Sequence, residues 1–324
     1  MQAIEFTQPG GPDVVVYKSV PKPDFDPAAN RGQILVKNRV AGVNFADVKV
    51  REGEYPSSVP NRLGLESSGV VEAVGADVND IRVGDRVVGM GGGLFAEYGI
   101  VPRAYAAVLP DEISFQTGAA SYVVGLTALA LIRRAYPVKA GDWVLVQAGA
   151  GGVGSALVQL CHHLGARVIT TTSTPAKAKL ATANGADHVI LYTESDWVAE
   201  VKRITENRGV DVVYDAVGQT TFRKGLEALK MTGTMVTYGD ASGPVEPFGV
   251  HDLITKNLTL VAISLYKYIS PEQPITELVN ELFSFIHQGV LSIPIGKTYP
   301  LSEVKQALID IATRQSSGKL LVDI

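Results

Sequence analysis

From Val144 onward, short apolar runs rich in β-branched residues alternate with stretches of helical periodicity. The runs predict strands at 144–148, 167–172, 188–192, 211–215, 234–238 and 258–263, each beginning a little over twenty residues after the last. That interval suits one strand plus one crossover helix. The runs WVLVQA and VDVVYDAVG are apolar almost throughout instead of alternating, which predicts strands buried on both faces of a parallel sheet covered by helices. Six such units predict a doubly wound Rossmann-type α/β sheet. The units share no residue-level similarity, so the period marks repeated strand-helix units and not a solenoid.

The first 125 residues follow another rhythm. Alternating strands at 33–43, 68–75, 85–89 and 98–108 are separated by Gly, Pro, Asp and Asn turns, which predicts a β-rich domain. Beyond about residue 264 comes one amphipathic helix, 275–288, with Leu278, Val279, Leu282, Phe283 and Ile286 on one face. Short strands, a final helix at 302–317 and a last strand at 319–324 follow, the last expected to rejoin the β-rich domain. On this reading 1–125 and 264–324 form one domain, 126–263 is a dinucleotide-binding domain inserted into it, and the cleft between them is the default ligand site. The longest apolar stretch, 119–132, stops at Arg133, short of the roughly 20 residues that span a bilayer, so no membrane association is expected.

At 324 residues the chain has room for two domains that each bury a core, and 46% hydrophobic with 19% charged residues excludes wholesale disorder and coiled coil. Lys plus Arg number 29 against 33 acidic residues, with no basic run, so nucleic acid is not expected as a partner. The single Cys161 can form neither an intrachain disulfide nor a Cys-rich zinc site. With an N-terminus, MQAIEFTQPGGPD, that lacks a secretory core, this predicts a cytoplasmic protein.

Directly after WVLVQA comes Gly149-Ala150-Gly151-Gly152-Val153-Gly154, a GxGxxG pattern that opens a helix with Ala156, Leu157, Leu160, Cys161 and Leu164 on its apolar face and Gly165 as its stop. The chemistry asks for a tight turn at Gly149, backbone approach to a pyrophosphate at Gly151 and close helix-to-strand packing at Gly154. Amides at the helix N-terminus, those of Gly152 and Val153 among them, then meet the phosphates. An NAD site places an acid about 20 residues further on for the ribose hydroxyl. Here the segment 170–177 reads TTTSTPAK and holds no carboxylate. Ser173 can donate to a 2′-phosphate, Lys177 can neutralise it and Tyr192 can close over it, which favours NADPH. Helix capping for Ser173 and Thr174, and a solvated face for Lys177, are the plain structural alternatives.

These features, with NFAD at 44–47, GEYP at 53–56, GLESSG at 64–69, VGDRV at 83–87, AGGVG at 150–154 and VYDAVG at 213–218, resemble the medium-chain dehydrogenase/reductase superfamily nearly end to end. Within it the zinc-independent quinone oxidoreductase branch, which includes zeta-crystallin-like proteins, is the most similar. The resemblance implies a GroES-like β-rich catalytic domain beside the Rossmann domain. Zinc-dependent relatives place Cys where this chain has Asn44 and His where it has Leu65. Leucine has no donor atom and an amide suits zinc poorly, so no metal is expected, and the adjacent His162 and His163 point apart on a helix. Without a metal to polarise an alcohol, the expected chemistry is hydride delivery to an acceptor already polarised by conjugation.

By resemblance, Asn44, Asp47, Tyr55 and Thr127 stand near the nicotinamide end of the site. Asn44 and Thr127 would fix the nicotinamide or its ribose, and Tyr238 and Gly239 would lie beside it. Related enoyl-thioester reductases carry a proton-donating tyrosine at the position of Tyr55; a turn tyrosine packed on Pro56 is the alternative. Lys49, where several relatives have tyrosine, and Asp240 depart from the family pattern. The triplet Gly91-Gly92-Gly93 has no helix start after it, which predicts a turn and not a phosphate loop. The expected activity is NADPH-dependent quinone reduction. Reduction of an enone or enoyl thioester in the same site, and an NADPH-binding structural or sensing role, are the alternatives. The apolar last strand of the parallel sheet, 258–263, predicts homodimerisation through an otherwise open edge.

Overall fold

A computed structural model describes residues 1–55, 61–268, 275–313 and 316–324. The chain divides into two compact units. The first comprises Met1–Val123, Pro274–His287 and Ile293–Ile324; the second comprises Val124–Gln273 and Gln288–Ser292. The sequence-based boundaries differ from these in that Leu265–Tyr268 and Gln288–Ser292 stay with the second unit. The reasons are local: Leu265 is buried, Arg134 donates to the Tyr268 carbonyl at 3.0 Å, and the Gln159 amide bonds both the carbonyl and the N–H of Ser292.

The second unit is a six-stranded, all-parallel sheet. Its order is His188–Leu191, Arg167–Thr172, Trp143–Val146, Val210–Asp215, Leu229–Thr237 and Thr259–Ala262. In chain order this is strand 3-2-1-4-5-6, with the direction of winding reversing between Trp143–Val146 and Val210–Asp215, where ligands of such sheets bind at the carboxyl ends of the strands. The strands are apolar on both sides: Leu145, Ile169, Val213 and Met235 pack on one face with Val201, Phe222 and Leu226 from the helices, while the alternating Val144, Val168, Val212 and Val236 are buried on the other. Helix Gly152–His163 stops where the sequence says it should, with Gly165 at φ 77° and its N–H on the His162 carbonyl.

The first unit centres on a seven-stranded sheet running Ile295–Pro300, Lys319–Asp323, Gln33–Val43, Glu66–Val74, Arg86–Met90 and Ala106–Val108, with Tyr98–Pro102 also pairing Gln33–Val43. The expected single strand at 98–108 is thus two strands. Pro102, which cannot donate to a ladder, gives way to the turn Arg103–Tyr105, and the chain switches partners there. A three-stranded sheet, Val16–Ser19, Gln2–Phe6 and Asn61–Arg62, was not expected, because Val16–Ser19 is exposed throughout and shows no buried face in its pattern. The last strand does rejoin this unit: Lys319–Asp323 pairs antiparallel with Gln33–Val43, Leu320 opposite Val43. The core beneath gathers Ile4, Phe6, Val43, Val48, Leu63, Phe95, Val304, Leu308 and Val322.

Helix Phe115–Ala130 continues through a π turn, Leu131–Ala135, making 21 residues in all. That is longer than the apolar stretch in the sequence, and by length and composition alone it could cross a membrane. The helix gains length because Phe115–Gly118 and Arg133–Ala135 flank the apolar run without breaking it, and 72% of its most apolar window is buried inside the protein.

Candidate active site

The glycine loop is built by close contacts that only missing side chains allow. A Cβ on Gly149 would come within 2.8 Å of Thr170 Cβ, and one on Gly154 within 2.9 Å of the Ala148 carbonyl carbon. At Gly151 the only neighbour within 4 Å that a Cβ would meet among the described residues is the Ala148 carbonyl oxygen at 3.3 Å, which leaves the backbone open to a ligand. The tight turn expected at Gly149 is displaced by one residue. The left-handed conformation belongs to Ala148, at φ 56°, while Gly149 is glycine because Thr170 presses against it. A non-glycine residue held there is local strain of the kind that gathers at functional loops.

Around the loop lie further polar groups at the carboxyl ends of neighbouring strands. Gln147 accepts from Thr171 Oγ1 at 2.5 Å, yet among the described residues its buried Nε2 has no partner, and neither has the buried Thr172 Oγ1. An open glycine backbone at a helix N-terminus, flanked by orphaned buried donors, fits the pyrophosphate and ribose of a dinucleotide. At the adjacent corner, Thr172 pairs with Leu191, so Ser173 and Tyr192 leave their strands side by side; Thr193 Oγ1 donates to the Ser173 carbonyl at 3.1 Å. Thr174 takes the capping role, accepting from Lys177 N at 3.3 Å. Lys177 therefore sits in the first turn of helix Pro175–Ala183, beside Ser173, with Tyr192 40% exposed across from them.

Tyr238 and Gly239 follow the carboxyl end of the fifth strand. Tyr238 N donates to the Asp215 carbonyl, burial pushes the phenol well above its ordinary range, and a Cβ on Gly239 would crowd Ala216. Asp215, which the sequence left unassigned, organises this turn: its carboxylate accepts from Val217 N, Gly218 N and Thr221 Oγ1. The second unit thus brings Gly149–Gly154, Ser173, Lys177, Tyr192, Tyr238 and Gly239 to the carboxyl ends of the parallel strands. Thr127 lies elsewhere in that unit, on helix Phe115–Ala130, where it is one of the few half-buried residues of an otherwise buried segment.

Asn44, Asp47 and Tyr55 belong to the first unit. Asn44 is the N-cap and Asp47 the third residue of helix Phe45–Glu52, while Tyr55 follows the left-handed Gly53 that ends it. Asn44 and Tyr55 therefore flank opposite ends of a segment roughly 12 Å long. Tyr55 N donates to the Lys49 carbonyl at 3.2 Å; Pro56, on which a turn tyrosine would pack, lies outside the described residues. Asp47 is fully buried and its carboxylate faces the backbone: it accepts from Asn44 N at 2.8 Å and Gly64 N at 3.2 Å. Burial pushes its pKa up to about 7 despite those bonds. A cofactor contact for Asp47, expected from the resemblance, gives way here to fixing the backbone of Asn44. Lys49 is buried and ion-paired with Glu54 at 2.7 Å. Gly91–Gly93 is irregular chain with a bend at Gly92 and Gly93 at φ 81°.

Two residues that the sequence did not single out complete this corner. Glu66, with 0% exposure, accepts from Asn44 Nδ2 at 2.8 Å on Oε1 and from Val123 N at 2.9 Å on Oε2. Lys319, 3% exposed, reaches Glu66 Oε1 at 2.6 Å and Asn44 Oδ1 at 2.7 Å. The strand pairing of Leu320 with Val43 is what sets Lys319 against Asn44. This corner does not fit a zinc ion: Leu65 offers no donor, both ends of the Asn44 amide are engaged, and the carboxylate already carries an ammonium. Among the described residues no group of three or more His, Cys, Asp or Glu is placed to hold a metal.

Comparison with known proteins agrees with this architecture. Residues 30–111 match the family model described as alcohol dehydrogenase GroES-like domain, and residues 152–284 that described as zinc-binding dehydrogenase. The chain is 39% identical to quinone oxidoreductase 1 of Escherichia coli over 98% of each chain, and 36% identical to a 2-haloacrylate reductase of a Burkholderia species over 97% of this chain and 96% of that one. It superposes on the crystal structure of Escherichia coli quinone oxidoreductase complexed with NADPH with a TM-score of 0.95, at 38% identity and full coverage of both chains. The chain belongs to the quinone oxidoreductases of the medium-chain dehydrogenase/reductase superfamily.

Proposed function

We propose that this protein is an NADPH-dependent quinone reductase that works without a metal. The observation that carries the reading is the pairing of a glycine loop open at Gly151 with a phosphate corner of Ser173, Lys177 and Tyr192 that contains no carboxylate. An acid there would repel the 2′-phosphate of NADPH, and a lysine attracts it. NADPH, when bound, supplies the hydride; the quinone takes up that hydride and one proton to become the hydroquinone. The chain's own residues hold the pyrophosphate at the loop, grip the 2′-phosphate at Lys177, and meet the nicotinamide end with Asn44 and Thr127. Charge that builds on the acceptor oxygen calls for a hydrogen-bond donor, which Asn44 provides. Purified protein that neither binds NADPH nor oxidises it with small quinones would end this reading.

The 2-haloacrylate reductase relative favours a second reading, reduction of a conjugated carbon–carbon double bond in the same site. There the carbanion must be protonated, and Tyr55 is the candidate donor. Tyr55→Phe separates the two: enone turnover falls at least tenfold while quinone turnover changes little, because a hydroquinone takes its proton from water. Homodimerisation through Thr259–Ala262 is part of the proposal, since that strand forms the open end of the parallel sheet with Leu260 and Val261 half-buried. A monomeric mass by sedimentation at micromolar concentration contradicts it. The lone Cys161, buried and unpaired, supports a reducing location, the cytoplasm.

A further inference from the structure

The geometry points to Lys319 as a positioning residue for hydride transfer: with Glu66 it clamps the Asn44 amide in one orientation, leaving an N–H as the group offered to a carbonyl oxygen of the bound ligand. The inference rests on the reading above and adds to it a residue near the opposite end of the chain from the site helix.

The backbone carbonyl of Asn44 accepts from Asp47 N at 3.0 Å, and its other hydrogen-bonding positions bear on this. Its backbone N–H is held by Asp47, its Oδ1 accepts from the Lys319 ammonium at 2.7 Å, and one hydrogen of Nδ2 goes to Glu66 at 2.8 Å. Among the described residues the other hydrogen of Nδ2 has only the Gly42 carbonyl at 3.4 Å, a long bond that a better acceptor displaces. An amide can be flipped to exchange its oxygen and nitrogen, and the network decides which way it lies. A cation on one side and a carboxylate on the other fix that choice, since the flipped form would aim N–H at the ammonium and oxygen at the carboxylate. Asn44 is half-buried while both members of the clamp are fully buried, so the clamp lies behind the amide and stays out of reach of a ligand.

Packing alone gives little reason for the pair. Two desolvated charges add little net stability over well-packed apolar side chains of the same volume, and neighbouring Val43 and Leu320 already hold the two strands together. What the charges supply, and apolar residues cannot, is the orientation of an amide. The carbonyl in question belongs either to the nicotinamide carboxamide or to the acceptor, and the experiment separates these.

The test is a mutant cycle on the full-length protein, read with NADPH and 1,4-benzoquinone. Lys319→Met is expected to lower kcat/KM at least tenfold in the wild-type background and less than threefold in Asn44→Ala. Equal losses in both backgrounds overturn the inference, as does no loss in either. Lys319→Met leaves a buried carboxylate unpaired, so Glu66→Gln/Lys319→Met, which removes both charges at nearly constant volume, is run through the same cycle with its melting temperature recorded. A dissociation constant for NADPH, from fluorescence titration, that rises with the loss assigns the carbonyl to the nicotinamide; one that holds while kcat/KM falls assigns it to the acceptor. A readout independent of turnover uses the wild type itself. The side-chain amide signals of Asn44, identified by their loss in Asn44→Ala, form a shifted pair with slow hydrogen exchange if the amide is clamped. Signals with the shifts and exchange of an exposed asparagine overturn it. A wild-type protein that fails to oxidise NADPH sinks the quinone reading alone, and the amide signals then decide the clamp.

Discussion

In the second unit the groups we propose to hold a ligand are mostly backbone, left open at Gly151 by a loop whose turn Gly149 and Gly154 allow to pack closely. In the first unit they are side chains, with Asn44 held by Asp47, Glu66 and Lys319. The loop is contiguous and its geometry is enforced by close packing against Ala148 and Thr170. The Asn44 corner joins residues 253 and 275 positions apart and is enforced by charge. A backbone cradle suits a phosphate, which needs several N–H groups and no discrimination among them. A reacting carbonyl needs one donor in one direction, and that calls for a side chain with its alternatives closed off.

Breaking the cradle has the largest expected effect. Gly154→Val places a branched side chain against the Ala148 carbonyl, and NADPH affinity by fluorescence titration falls at least 100-fold, roughly 3 kcal/mol. Retention of affinity within tenfold means that the helix can move aside and the contact is not required. Next comes the phosphate corner, where Lys177→Ala weakens NADPH binding about tenfold, near 1.4 kcal/mol, and leaves NADH within twofold. Equal weakening of both coenzymes shows Lys177 to be a surface cation.

The side-chain corner responds to pH. The Asp47 carboxyl is raised from 3.8 to about 7, so between those values the unfolded chain has released a proton that the folded chain keeps. Stability falls as pH rises through that window and is level above it, with a slope of up to about 1.4 kcal/mol per pH unit from this group. Urea unfolding of wild type and Asp47→Asn at pH 5 and pH 7 isolates it. The wild type loses stability relative to the variant by on the order of 2 kcal/mol, and parallel behaviour of the two proteins shows that Asp47 is ionised throughout. The smallest effect returns to the loop. Ala148→Gly relieves the left-handed strain and raises stability by about 0.5 kcal/mol, seen as a small increase in melting temperature.

The same contrast explains what could be read from the sequence. Arg167–Thr172 and Gln33–Val43 are found at the expected residues, and seven other strands within two positions at each end, because their patterns are local. The glycine loop was legible because its chemistry is written in consecutive residues. Its strained residue was not: that Ala148 and not Gly149 takes positive φ depends on how Thr170 packs from the neighbouring strand. Ser173 and Tyr192 could be associated because each ends a strand and the two strands are adjacent. Glu66 and Lys319 carried a weaker signal, two charges embedded in the apolar strands GLESSG and GKLLVDI, and nothing in their spacing says that they meet. Asp47 drew a cofactor role from the resemblance, while its burial and its two backbone donors, invisible in the sequence, give it a structural one.

The most direct test of a metal-free, NADPH-driven site is the absorbance of NADPH at 340 nm followed with purified, chelator-treated protein and 1,4-benzoquinone, above the uncatalysed background. Catalysed loss of NADPH, with NADH consumed at least tenfold less efficiently, is the expected result. Loss of activity on chelation that zinc restores, or equal use of both coenzymes, contradicts it.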